Sequence, residues 1–227
     1  MLVIGHRGVA GSAPENTLAS LERGIVLGVD FVEFDVQPTR DNALVLFHDR
    51  RLDRLTHERG LLRDLPLSAV RKLRVGGGQA VPSLEEALAH INGRVGAIIE
   101  LKSEGIAANA CRVVEAVGFQ SPVIYASFWH QELLAIRQIT PSADTLALLA
   151  GTPVNPTAFA KDAHATHVGL ALDCLSRESV RAFQARQLKV FVYTVDDPAD
   201  IQWVTTLGVD GIISNFPDRI PAKARRS

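Results

Sequence analysis

The sequence of 227 residues lacks most of the marks that would place it in a special class. It has only two cysteines, Cys111 and Cys174, each in an apolar context (NACRVV and LALDCLS) and without CxxC spacing. A disulfide framework and a thiol redox motif therefore drop out, and both residues are expected to be buried, inert thiols in a reducing compartment. An excess of one charge is also missing. The net charge is −1 and the pI about 6.7, so neither nucleic acid nor an anionic membrane is the expected partner. An anionic substrate must then be drawn in by a local cluster or a bound metal. No apolar stretch approaches the ~20 residues needed to span a bilayer. The first, Leu2-Val3-Ile4, runs straight into Gly5-His6-Arg7-Gly8 rather than into a leader's apolar region. A soluble, cytoplasmic protein without stable membrane insertion is expected.

What is present has the balance of a globular enzyme with one sizeable core, at 47% hydrophobic and 22% charged. Short apolar, β-branched runs begin at Gly96, Pro122, Asp144, His167, Lys189 and Gly211, about 22 to 26 residues apart. Between them lie amphipathic segments over residues 109–117, 131–139, 176–186 and 198–207, with capping or turn residues at several starts. Strand and helix alternating at a short fixed period means parallel βαβ units. Runs that are apolar throughout mark strands covered on both faces. Two further strands at 2–7 and 31–37, joined by a helix over roughly 15–27, bring the number to eight. Eight alternating units predict a closed (β/α)8 TIM barrel. No GxGxxG turn follows a strand, which counts against a dinucleotide-binding sheet.

One segment breaks the rhythm. Residues 43–49 (ALVLFHD) also look like a strand, but only PTRDN separates them from the second one, too few residues for a parallel crossover. A hairpin is expected, with its turn near Arg40, so that position 33 faces about 47 and His48 lies level with Glu33. Residues 50–81 then interrupt the alternation and are read as a small insertion beside the barrel mouth, within one domain spanning 1–227. In it, Gly76-Gly77-Gly78 reads as a flexible connection after a helix. A helix over 83–91 resumes the pattern.

In a parallel barrel the chemistry sits at the carboxyl ends of the strands. The first strand ends in His6-Arg7, the second in Glu33-Phe34-Asp35 and the third in Glu100-Leu101-Lys102. With a side-chain period of two, Glu33 and Asp35 share one face and Glu100 and Lys102 another, while Phe34, Val36, Ile99 and Leu101 occupy the opposite faces. The charged pairs thus point into the barrel. Three carboxylates there would repel one another and resist desolvation, a cost that a hard divalent cation, Mg²⁺ or Ca²⁺, removes. The alternative is a metal-free ion-pair network with Arg7 and Lys102, which leaves the histidines without a role. His6 and His48, on different strands beside a metal and two cations, form an acid–base pair around an anion. His57, His90, His130, His164 and His167 end no early strand beside a carboxylate and are read as structural. Ala13-Pro14-Glu15-Asn16-Thr17 is a helix start that also lays a polar loop over the site, with Asn16 bonded to a metal ligand. Tyr193 is either a wall of the substrate pocket or core, and Asn215 and Phe216 follow the eighth strand at the mouth.

Taken in order, these stretches resemble the glycerophosphodiester phosphodiesterase family. The matching motifs are Gly5-His6-Arg7-Gly8, Ala13-Pro14-Glu15-Asn16-Thr17, Glu33-Phe34-Asp35-Val36-Gln37, Val45-Leu46-Phe47-His48-Asp49, Pro82-Ser83-Leu84-Glu85-Glu86, Glu100-Leu101-Lys102, Val192-Tyr193-Thr194-Val195 and Gly208-Val209-Asp210-Gly211-Ile212-Ile213. The resemblance implies a (β/α)8 barrel with a subdomain inserted after the His-Asp motif. It makes Glu33, Asp35 and Glu100 metal ligands, His6 and His48 the acid and base, and Arg7 and Lys102 the cations that contact phosphate. The implied partner is a small, water-soluble glycerophosphodiester such as glycerophosphocholine or glycerophosphoethanolamine, and homo-oligomerisation is left open. The chain departs from the usual pattern at Tyr193, where Trp is common, at Asp196, where Asn is common, and at Ser214-Asn215, where Thr-Asp is usual. These positions are read as pocket wall. The rival readings are a phospholipase-D-like lyase on the same barrel, which predicts an exposed apolar rim around the mouth that the insertion could hide, and a non-catalytic phosphodiester-binding barrel.

Overall fold

The computed structural model describes residues 1–221. Eight parallel strands close on themselves: β1 Leu2–Gly5, β2 Phe31–Pro38, β3 Gly96–Leu101, β4 Val123–Ser127, β5 Asp144–Leu149, β6 His167–Ala171, β7 Lys189–Tyr193 and β8 Gly211–Ser214. β1 completes the ring by pairing with both β2 (Ile4 with Phe31) and β8 (Leu2 with Gly211 through Gly5 with Ser214). The helices that cover the barrel are α1 Leu18–Val26, α2 Leu84–Ile91, α3 Ala107–Val117, α4 His130–Ile139, α5 Ala158–Asp162, α6 Arg177–Gln184 and α7 Pro198–Thr206. This is the expected (β/α)8 barrel. Among the described residues no helix is long and apolar enough to cross a membrane.

The period of two along each strand sorts side chains between two apolar layers. Ile4, Ile98, Ile124, Leu146, Leu148, Phe191 and Ile213 fill the barrel interior. Val3, Val32, Phe34, Val36, Ile99 and Leu101 face the helices in a second, larger layer. Glu33 and Asp35 share the parity of interior-packed Phe31, and Glu100 that of Ile98, so the three carboxylates enter the barrel by strand geometry alone.

Four expectations need correcting. The hairpin strand Leu44–Leu46 pairs Val36 with Leu46 and Pro38 with Leu44, which centres the turn on Asp41 rather than Arg40. A three-residue turn closed by Thr39 and Ala43, with Asn42 at φ 60°, sets that register. Phe47 consequently lies against Asp35, through a 3.0 Å backbone hydrogen bond, and His48 sits two places further along than expected. α1 begins at Leu18 and not near 15, because Asn16 is left-handed at φ 57° and Thr17 makes the cap with Ser20. Gly76–Gly78 is the turn between two tiny paired strands, Arg74–Val75 and Gln79–Ala80, with Gly77 and Gly78 at φ 66° and 74°. Cys111 and Cys174 are free but only half-buried. The five-residue α5, too short to show a period, was not expected.

Within residues 50–81 the apolar side chains turn inward. Leu52, Leu62, Val70, Leu73 and Val75 pack with Val45 and Phe47 as a cluster of their own. The segment thereby leans on the hairpin beside β2.

The loop after Lys102 is anchored by an unusual cap. Ile106, the residue before α3, has no side chain to offer the helix's free N–H groups. Glu132 of α4, 4% exposed, supplies one from outside, accepting from the backbone N–H of Gly105 (2.7 Å), Ile106 (2.9 Å) and Ala107 (2.8 Å). The positive end of the helix and the carboxylate match in charge. Glu132→Ala leaves buried donors without an acceptor and should lower unfolding free energy by at least about 1–3 kcal/mol. Urea titration measures it; an unchanged midpoint would show that water replaces the carboxylate.

Candidate active site

The turn after β1 presents the first two polar side chains. Arg7 and Gly8 have φ of 52° and 82°, and a Cβ on Gly8 would stand 2.6 Å from the Ser20 carbonyl carbon, so the turn packs directly onto α1. Arg7 donates its backbone N–H to Glu33 Oε2 at 2.8 Å. Its guanidinium bonds Glu15 at 2.8 Å and lies 3.5 Å from Asp35 Oδ2. On the other side Lys102 Nζ is 2.7 Å from Glu100 Oε1 and 3.4 Å from Asp35 Oδ1. Asn16 grips Asp35 twice, donating Nδ2 to Oδ2 at 2.8 Å and accepting from the Asp35 N–H at 3.1 Å.

Glu33, Asp35 and Glu100 are buried, and one oxygen from each lies within 4.8 Å of the others. Burial, then the negative charge of Asp35 and Glu100, pushes the Glu33 carboxyl well above the ordinary range. Burial and Asp35 raise Glu100 to about 7. Burial also works against Asp35, but Lys102, Arg7 and His48 outweigh it, and Asp35 titrates below an ordinary aspartate. Arg7 and Lys102 do engage the cluster, as a metal-free network requires, yet two cations face three carboxylates. Glu33 Oε1 is left buried with no hydrogen-bond partner among the described residues. An orphaned carboxylate oxygen among hard oxygen donors fits a divalent cation.

The two histidines flank this cluster. His6 Nε2 is 3.9 Å from Glu33 Oε2, and burial, then Arg7, lowers its pKa. Its Nδ1 meets Asn215 Oδ1 at 2.8 Å. His48 Nδ1 meets Asp49 Oδ1 at 2.7 Å, and the charge of His48 is one of those that depress Asp35. Tyr193, with His6, Glu33, Glu100 and Phe128, lines a cavity of about 30 Å³. Its hydroxyl is buried without a partner among the described residues, and its ring meets Phe128 edge-on at 6.0 Å. His130 is held by the Leu148 carbonyl, His167 by the Thr166 hydroxyl, and His90 pairs with Glu22, all outside the cluster.

Two groups at the site, Asp49 and Arg54, were given no role in the sequence. Asp49 turns to His48 and is itself held by Arg54, at 2.6 and 3.0 Å, which with His48 lowers its pKa to about 2. Arg54 also forks onto Glu15 at 2.8 and 2.9 Å. Asp196 and Asn215, read as pocket wall, instead stand behind His6; the eighth strand lies beside the first, so residues just past their ends meet.

Residues 6–219 match the model of the glycerophosphoryl diester phosphodiesterase family. The chain belongs to that family. A glycerophosphodiester phosphodiesterase of Caldanaerobacter subterraneus subsp. tengcongensis is 32% identical over 96% of both chains. A phosphodiesterase of Oleispira antarctica, solved with its product sn-glycerol-3-phosphate, superposes with a TM-score of 0.91 at 27% identity, covering 100% of this chain and 97% of that one. A glycerophosphodiester phosphodiesterase of Agrobacterium tumefaciens follows at 0.85 and 29%, covering 97% and 98%. The chain is thus an enzyme of the phosphoric diester hydrolase class on a (β/α)8 barrel, with an acidic cluster suited to a divalent ion.

A cation bound at that cluster would compete with protons, which fixes a sign. Glu33 and Glu100 hold their protons more tightly when folded than when unfolded, so the metal-free protein should lose stability as pH rises from ordinary glutamate values through about 7. Saturating Mg²⁺ or Ca²⁺ should therefore raise Tm more at pH 7.5 than at pH 5. Calorimetry at both pH values checks this; an equal or larger gain at pH 5 contradicts it.

Proposed function

We propose that this chain hydrolyses glycerophosphodiesters, such as glycerophosphocholine and glycerophosphoethanolamine, to glycerol 3-phosphate and an alcohol. Glu33, Asp35 and Glu100 hold a divalent cation, Mg²⁺ or Ca²⁺, and His6 and His48 are the acid–base pair. The observation that carries this reading is the orphaned Glu33 Oε1 in a three-carboxylate cluster flanked by two imidazoles. When bound, the cation offsets phosphoryl charge as a Lewis acid.

Arg7 and Lys102 add their charge at the non-bridging oxygens, where it counts most in the transition state. One imidazole removes the proton of the attacking hydroxyl, either water or the glycerol's own 2-hydroxyl. As the new P–O bond forms and the old one breaks, the other imidazole gives the departing alkoxide its proton. Tyr193 and Phe128 form the wall against which the substrate's carbon skeleton rests. The lipid-directed rival needs an exposed apolar rim around the mouth, which the inserted segment was a candidate to supply. Among the described residues, the large hydrophobics that stand exposed (Val26, Phe128, Trp129, Ile139, Val154 and Trp203) include none from 50–81. The insertion therefore supplies no rim. Phe128 and Trp129, just past β4, stand exposed at the mouth itself, and the choice between a lipid and a deacylated diester falls to the assay on glycerophosphocholine.

Glycerophosphocholine should release glycerol 3-phosphate, and EDTA should stop it; a substrate left intact in Mg²⁺ and in Ca²⁺ sinks the reading. His6→Ala and His48→Ala should each lower kcat by roughly 10²- to 10⁴-fold on that substrate. A p-nitrophenyl ester departs without protonation, so there only the variant lacking the general base should remain slow. Equal losses for both variants on both substrates would leave the histidines a purely electrostatic or structural role.

A further inference from the structure

The parallel pairing of β1 with β8 ends at Gly5 and Ser214, and the backbone N–H of His6 extends it by bonding the Ser214 carbonyl at 2.9 Å. Asn215 is thereby set beside His6, and its own carbonyl is held by the Gly11 N–H at 3.1 Å. Asp196, just past β7, takes three hydrogen bonds from this corner: from Asn215 Nδ2 at 2.7 Å, from the Asn215 backbone N–H at 2.8 Å and from Ser214 Oγ at 2.9 Å. A carboxylate only accepts. It therefore dictates which end of the Asn215 amide faces it. The NH₂ points to Asp196, and the amide oxygen is left for His6 Nδ1, 2.8 Å away. An amide oxygen also only accepts, so the proton of a neutral His6 sits on Nδ1. The Nε2 lone pair is what His6 turns toward Glu33 and the open cavity.

We propose that Asp196 and Asn215 are positioning residues that fix the tautomer of His6, presenting Nε2 unprotonated to the reacting hydroxyl. The assignment rests on the reading of His6 as one half of the acid–base pair, and it equips a neutral His6 to accept a proton at Nε2. No bond to substrate is asked of either residue. The two departures of this chain from the usual pattern, an Asp for Asn at 196 and an Asn for Asp at 215, are the two halves of one hydrogen bond. Each is intelligible only with the other. Asp196→Asn alone puts two amides face to face, so nothing orients the Asn215 oxygen toward His6. Asn215→Asp alone puts two carboxylates in contact. The double exchange restores one donor and one acceptor, with the acceptor still on His6.

Two measurements test this. With ¹⁵N-histidine-labelled enzyme, the His6 ring nitrogens, assigned among the seven histidines by their loss in His6→Gln, should show the Nδ1–H pattern in the neutral form. An Nε2–H pattern overturns the proposal. In steady-state assays on glycerophosphocholine, D196N and N215D should each lower kcat by roughly 10- to 10²-fold, the scale of losing an orienting partner. KM should move less than about twofold. The D196N/N215D double variant should recover most of that loss. Single variants within about twofold of wild type, or a double variant no better than the worse single one, overturn it. Were the protein to cleave no phosphodiester, the function proposed above would fall, yet the ring-nitrogen spectrum would still decide the tautomer.

Discussion

The mutual repulsion of three buried carboxylates is the constraint on which the rest of this structure depends. Glu33, Asp35 and Glu100 offer oxygens within 4.8 Å of one another, a spacing at which like charges cost roughly 4 kcal/mol per pair at an effective dielectric near 20. No fold collects such groups by chance packing. β2 and β3 impose it, because their register sets Asp35 directly beside Glu100 and the strand period turns both inward. The protein then divides the charge unequally. Asp35, touched by Arg7, Lys102 and Asn16, remains the anion of the cluster, while burial and their neighbours push Glu33 and Glu100 toward protonation. Even distant features serve that arrangement. Glu132 pins the turn that follows Lys102, and the left-handed Asn16 brings its amide over Asp35 at the cost of three helical residues.

Much of this was legible in the sequence. The eight strands announced themselves because each is covered on both faces, and a run such as GAIIEL has no other economical use than a buried parallel strand. Position at strand ends then selected His6, Arg7, Glu33, Asp35, Glu100 and Lys102. What depended on turn geometry was less legible. The hairpin register slipped by two places because PTRDN does not reveal that Asn42 adopts a left-handed conformation and makes the turn span three residues. The strand ends at Leu46, so His48 reaches the cluster from the loop beyond it, where strand parity no longer applies.

Contacts between irregular segments were not legible at all. Arg54 lies in a stretch without period, yet it joins Asp49 after the hairpin to Glu15 before α1, and Glu15 in turn holds Arg7. A continuous path of charge-assisted hydrogen bonds thus runs from His48 to Arg7 through the inserted segment. Nothing in the spacing of positions 7, 15, 49 and 54 foretells it, since three loops of different length must converge. The leucine-rich insertion, which on sequence could have hidden an apolar rim, buries most of its apolar side chains in its own small core and turns Arg54 to Asp49 and Glu15.

The same limit explains why Asp196 and Asn215 were mistaken for pocket wall. Taken one at a time, each is a polar residue past the end of a strand, and the mouth of a barrel has many of those. Their meaning comes from closure: only in a ring does the last strand return beside the first, so that residue 215 meets residue 6. Once it does, the two imidazoles can be compared directly. Both are grasped by Nδ1, at 2.8 Å for His6 and 2.7 Å for His48, and both acceptors, an amide oxygen and a carboxylate, demand a proton there. In its neutral form each ring therefore leaves Nε2 without a proton. What stands behind them differs. His6 backs onto a neutral amide whose carboxylate lies one hydrogen bond further away, whereas His48 touches its carboxylate directly, and that carboxylate is already held by Arg54. If the two histidines divide the work of proton acceptor and donor, the division is written in these neighbours rather than in the rings themselves.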